Sequence, residues 1–71
     1  MEFDNEIFAE RLKKLRKSRG LTTSQLALAT KTTDGTVSRW ENALVIPKVD
    51  SIFLLVKFFG VSAGYLIGTE D

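Results

Sequence analysis

The chain has 71 residues with no cysteine and no histidine. That length allows one small domain, which buries only roughly 60% of the surface its unfolded form exposes. Without cysteine there is no disulfide framework and no thiolate metal site, and without histidine the usual general base and the commonest metal ligand are missing. A core must come from packing alone, and 44% hydrophobic with 10% aromatic residues supplies one. That composition is too apolar for a disordered chain. No apolar run approaches the ~18 residues of a membrane span. Residues 1–10 carry acids and no base, unlike a secretory signal, so a cytoplasmic protein is expected.

The formal net charge of +1 conceals a polarised distribution. Residues 1–10 hold Glu2, Asp4, Glu6 and Glu10 and no base. Residues 11–48 hold nine Lys or Arg against Asp34 and Glu41. Residues 49–71 hold Lys57 against Asp50, Glu70 and Asp71. A basic centre between acidic ends suits an anionic polymer on one face.

In chain order, residues 6–19 place Ile7, Phe8, Leu12 and Leu15 near one helical face, with Arg11, Lys13, Lys14 and Lys17 elsewhere. Asp4 or Asn5 can cap the start, and Gly20 reads as the stop. Thr22 can cap a second helix, Thr23–Ala29, with Leu26 and Ala27 inward. After the polar break at 30–34, Thr33 caps a third helix, Asp34–Glu41, with Val37 and Trp40 inward. Gly35 weakens that helix by up to ~1 kcal/mol. Residues 42–48 form a loop containing the only proline, Pro47. A fourth helix follows from about Asp50 to Phe59, closed by Gly60. Ser62 caps a fifth, Ala63–Ile67, ended by Gly68. The expected fold class is all-α, five short helices in one domain over 1–71. Its core is expected at 6–68 and residues 1–5 are expected to be flexible.

Several stretches then carry a resemblance: Arg11-Leu12-Lys13-Lys14-Leu15-Arg16, Gly20-Leu21-Thr22, Gln25-Leu26-Ala27, Thr36-Val37-Ser38-Arg39-Trp40-Glu41-Asn42, Pro47 and Gly60-Val61-Ser62. Together they resemble the phage Cro/repressor family (XRE-type helix-turn-helix), over about Phe8 to Gly68. Val37 to Asn42 is the most specific stretch. The resemblance implies a lambda-repressor-like domain whose second and third helices form the helix-turn-helix, the third lying in the DNA major groove. It implies an ion pair between Arg16 and Glu41. Carried over position by position, Thr33, Asp34, Gly35, Thr36, Ser38 and Arg39 face the groove. Arg39 could pair with guanine or hold a phosphate. Thr23, Lys31 and Asn42 are backbone-contact candidates.

This sequence departs from the family in four places. Thr23 stands where glutamine is usual. Lys31-Thr32 replaces glycine and an apolar residue in the turn, so the turn lacks glycine's freedom at φ > 0. Asp34-Gly35 opens the third helix, where a carboxylate repels phosphates and glycine reads nothing. Ala43-Leu44-Val45-Ile46 occupies a loop in which the family commonly has glycine and bases. Leu28, Leu44, Val45, Ile46, Leu54 and Phe58 are therefore candidates for a protein interface.

Two functions follow as expectations. One is a Cro/repressor-type regulator from a phage or bacterial genetic switch, binding a double-stranded DNA operator as a dimer. The other is a helix-turn-helix antirepressor or modulator that binds a partner repressor. No cofactor, metal or small-molecule ligand is expected. Catalysis is not expected, since no carboxylates are paired in a plausible pocket and no glycine-rich phosphate loop precedes a helix.

Overall fold

The computed structural model describes residues 3–70. Five helices follow one another: α1 (Asn5–Ser18), α2 (Thr23–Ala29), α3 (Asp34–Glu41), α4 (Val49–Phe59) and α5 (Ala63–Ile67), with no strand among the described residues. The chain is all-α, as expected.

Side-chain caps define most of the helix starts. The Asp4 carboxylate accepts from the backbone N–H of Glu6 and Ile7 at 3.0 and 3.1 Å. At α2, Thr22 Oγ1 accepts from the Gln25 N–H at 3.1 Å, and Gln25 Oε1 accepts from the Thr22 N–H at 2.8 Å, a reciprocal capping box. At α3 and α5 the cap is one-way: Thr33 Oγ1 accepts from the Thr36 N–H at 3.2 Å and Ser62 Oγ from the Tyr65 N–H at 3.0 Å. Such caps contribute about 1 kcal/mol each. α4 differs: Lys48 precedes it with no side-chain cap, and the helix begins at Val49, one residue before Asp50.

Three helices stop through one hydrogen-bond pattern. The residue after the cap enters the left-handed region, and its N–H and the next one bond back to carbonyls of the last turn. Gly20 does this after α1, Lys31 after α2 and Ala43 after α3. At Lys31, φ is +58°, and the Thr32 N–H reaches the Ala27 carbonyl at 2.9 Å. The glycine-free turn therefore forms, but a non-glycine residue there carries about 1 kcal/mol or more of strain.

The inward stripes meet in one core of Phe8, Leu12, Leu26, Ala27, Val37, Trp40, Leu55, Phe59 and Leu66. α2 packs most extensively on α3, α1 packs on α3 and α5, and α4 packs on α5. Trp40 meets the edge of Phe8 with ring centroids 6.4 Å apart. Of residues 1–5, expected to be flexible, Met1 and Glu2 lie outside the described residues, and the other three have specific partners. Phe3 packs against Phe8, Asp4 caps α1, and Asn5 Nδ2 donates to the Ala43 carbonyl.

Three arginines of α1 tie distant segments together. Arg11 donates to the carbonyls of Tyr65 and Glu70 and lies over the Tyr65 ring. Arg19 donates to the carbonyls of Phe58 and Phe59 at 3.0 and 2.8 Å, satisfying the C-terminal end of α4. Arg16 grips Glu41 with a two-point fork, Nε to Oε2 at 2.6 Å and Nη2 to Oε1 at 3.0 Å, and its Nη1 donates to the Leu21 carbonyl. This pair joins α1 to the end of α3 with side chains 12% and 5% exposed. The hydrogen bond to Glu41 raises the Arg16 pKa still further, against the opposing effect of burial. A raised pKa means that its stabilising contribution is complete below the ordinary arginine range and lost only as pH rises through the raised value.

Candidate nucleic-acid interface

α3 is built to present one face. Val37 and Trp40, three residues apart, are buried and fix its rotation. Asp34, Gly35, Ser38, Arg39 and Asn42 are consequently exposed, and Thr36 is half-buried at the edge. Thr33, at the start, is exposed, and its Oγ1 lies 2.9 Å from the Thr36 Oγ1. Asp34 sits in the first turn, where the helix dipole favours an acid.

The long side chains on this face have defined positions. Arg39 folds back along the helix over Gly35, with Nη1 3.5 Å from where a Cβ at Gly35 would stand. A Cβ at Gly35 would thus meet the guanidinium in ordinary van der Waals contact, and glycine itself carries no group that reads a base. Asn42 Nδ2 donates to the Ser38 carbonyl at 2.7 Å, closing the end of α3. Thr23 is half-buried at the first position of α2, and Lys31 is exposed at the tip of the turn. The structure thus brings the groove-facing candidates onto one helix face. Thr23 and Lys31 flank it at opposite ends of α2, the helix packed against α3.

A cleft of about 410 Å³ runs beside this face, between α3 and the segment leading into α4. It is lined by Thr32, Thr36, Arg39, Trp40, Val45, Ile46, Lys48 and Ser51. Lys48 and Ser51 were not singled out from the sequence. Their only signal was position, since both lie where the loop turns into α4.

The apolar candidates separate into two groups. Leu28, Leu44 and Ile46 are 83%, 71% and 68% exposed, and Val45 is exposed at the margin. Leu54 and Phe58 are instead half-buried, so they offer less open apolar surface than their positions suggested. Phe58 packs against the core, edge-on to Phe59 with centroids 5.0 Å apart, and Arg19 covers its ring. The reason is rotational: Leu55 and Phe59 point α4 inward, and Phe58 lies beside them while Leu54 falls on the flank. Val49 and Phe53 take the outward stripe and are 67% and 62% exposed. Fully burying such a side chain yields about 1.5–3 kcal/mol, so leaving several in water forgoes a large stabilisation.

The basic charge is also redistributed. Of the six bases on or ending α1, Arg11, Arg16 and Arg19 are occupied by internal partners. Lys13, Lys14 and Lys17 lie on the outward face of α1 beside Glu10, turned away from α3. Positive charge next to α3's outer face comes from Lys31, Arg39 and Lys48. No helix among the described residues is long and apolar enough to cross a membrane.

Residues 12–66 match the model of the helix-turn-helix family. Over 64 residues the chain is 33% identical to the HTH-type transcriptional activator BcrR of Enterococcus faecalis, covering 90% of this chain and 31% of that protein. The chain therefore spans about a third of the length of that curated relative. The P22 c2 repressor, solved in complex with a synthetic operator, superposes with a TM-score of 0.85 at 22% identity, over 90% of this chain and 97% of that one. This second likeness is one of fold. FeII HppE in complex with its substrate gives a TM-score of 0.81 at 28% identity, over 90% of this chain but 37% of that one. The same arrangement thus also occurs as a minor part of a larger chain.

Proposed function

The chain belongs to the helix-turn-helix family of the Cro/repressor type, and on that premise we propose that it is a DNA-binding transcriptional regulator that lays α3 in the major groove of an operator. The observation that carries this reading is the outer face of α3. Val37 and Trp40 lock the helix, and the residues pointing away from them are small or polar, with one acid, Asp34, and one base, Arg39. A major groove admits such a helix, and its base edges are read by donors and acceptors.

Within this reading Arg39, exposed on α3, takes the base contact, with guanine O6 and N7 as the matching acceptor pair. Ser38 and Thr36 supply shorter hydrogen-bonding groups beside it. Asp34 rejects most neighbours in the groove and accepts from cytosine N4. Lys31, Thr23 and Asn42 hold the sugar-phosphate backbone and set the register. Two copies reading two half-sites about one helical turn apart complete the operator complex, as expected of a small regulator from a phage or bacterial switch.

A gel-shift titration of operator-region DNA at two salt concentrations tests the proposal. Affinity should fall steeply with salt, because each neutralised phosphate adds roughly 0.9 to the logarithmic slope. Negligible, salt-insensitive binding would refute it. A second reading, a helix-turn-helix modulator that docks on a protein, is favoured by one observation: the exposed apolar residues bordering α3.

A further inference from the structure

We propose that the outward face of α4 takes a second copy of this chain, the two α4 helices running antiparallel about a two-fold axis that passes between positions 53 and 54. The interface is independent of what α3 reads.

The face has an apolar strip. Leu55 and Phe59 turn one side of α4 into the core, and Val49 and Phe53 stand exposed on the other side, four residues apart. Half-buried Leu54 borders them. Single exposed apolar residues are ordinary, whereas aligned ones form a patch that favours a partner.

The charges on the same face identify the partner. Asp50 and Lys57 are the only charged residues of α4, one in its first turn and one in its last, and both are exposed. Seven residues fall about 20° short of two full turns, so the two charges lie on nearly one line along the helix. Phe53 and Leu54 flank that line, roughly 40–60° to either side. Among the described residues the ion pair is Arg16 with Glu41, so neither Asp50 nor Lys57 is paired within the chain.

This arrangement is self-complementary. The midpoint between positions 50 and 57 falls between Phe53 and Leu54. About a two-fold axis there, Asp50 of each copy faces Lys57 of the other. Phe53 then meets Phe53 on one side of the charge line, extended by Val49, and Leu54 meets Leu54 on the other. An isologous interface has this reciprocity. Parallel helices would set Asp50 on Asp50 and Lys57 on Lys57. A uniformly acidic partner helix opposes Asp50, and a uniformly basic one opposes Lys57. An antiparallel second copy satisfies both ends. One helix face is smaller than a standard interface, so the dimer is weak and reversible.

Sedimentation equilibrium of the full chain without DNA, from about 1 μM to about 1 mM, should show the wild type passing from monomer to dimer. Phe53→Ser should weaken the dimer by about tenfold or more, since each interface loses two central rings. Asp50→Lys and Lys57→Asp should each self-associate several-fold more weakly than the wild type, because each sets like charges across the axis. An equimolar mixture of those two variants should regain the dimer, since every Lys then faces an Asp. All three positions are exposed, and circular dichroism checks that each variant keeps the wild-type helical signal. A wild type that stays monomeric throughout overturns the proposal. So does a dimer untouched by Phe53→Ser, or one indifferent to either charge reversal, or a mixture no tighter than its components alone. No DNA is present, so failure here is distinguishable from failure of the DNA-binding reading.

Discussion

α3 and α4 are both short helices with a well-defined inner stripe, yet their outer faces are opposite in character. Val37 and Trp40 anchor α3, which turns Asp34, Gly35, Ser38 and Arg39 outward. Leu55 and Phe59 anchor α4, which turns Val49 and Phe53 outward. The inner stripes obey one rule, the burial of apolar area, and reveal the fold. The outer faces are free of that rule, so their composition reports on what they meet. A polar face suits the hydrogen-bonding edges of a groove, whereas an apolar face suits another protein.

The largest expected effect removes the support of both faces together. Trp40 is 3% exposed, meets Phe8 and lines the cleft. Trp40→Ala should lower stability by about 3–5 kcal/mol in denaturant titration, with loss of DNA binding. Next, Glu41→Ala leaves the Arg16 guanidinium without its two-point partner at a largely buried site. A loss of about 3 kcal/mol is expected, read as a lower denaturant midpoint. A loss below ~1 kcal/mol would place the pair among ordinary surface bridges.

The following changes separate the two faces. Arg39→Ala should weaken specific DNA binding by about 1–3 kcal/mol in gel shift while leaving the melting temperature near wild type. Lys31→Gly relieves a residue held at φ +58°. It should stabilise the fold by about 0.5–1 kcal/mol and, if Lys31 grips a phosphate, reduce the logarithmic salt slope by about one. Phe53→Ser should change stability by no more than about 0.5 kcal/mol, since the ring is 62% exposed. It should leave binding of one chain to a single half-site intact, and a matching loss of that affinity would erase the distinction between the faces.

The elements themselves were largely legible in the sequence. Thr22, Thr33 and Ser62 are recognisable caps, and Gly20, Gly60 and Gly68 are recognisable stops, so local chemistry marks most boundaries. α4 began one residue early because Lys48 provides no side-chain cap from which a start can be read. Phe58 and Leu54 share a face by spacing, but which face α4 buries is decided by its packing on α5, which spacing does not reveal. The arginine clamps were hidden for a similar reason. Arg11 and Arg19 bond carbonyls 39 to 59 residues away, and a carbonyl has no side-chain signature. Within the candidate site, the inward pair Val37 and Trp40 was readable from periodicity, and both are buried, whereas the groove-facing set came from the family resemblance. The lie of the Arg39 side chain along α3 toward Gly35 was not readable, because it depends on a rotamer.

The most direct test of the central claim is selection from a randomised pool of duplexes, carried out in parallel with the wild-type chain and Arg39→Ala. The account predicts that the wild type enriches a defined half-site containing a guanine, and that Arg39→Ala loses the preference at that base while retaining the wild-type fold. No enrichment by the wild type, or the same half-site enriched by both, would contradict it.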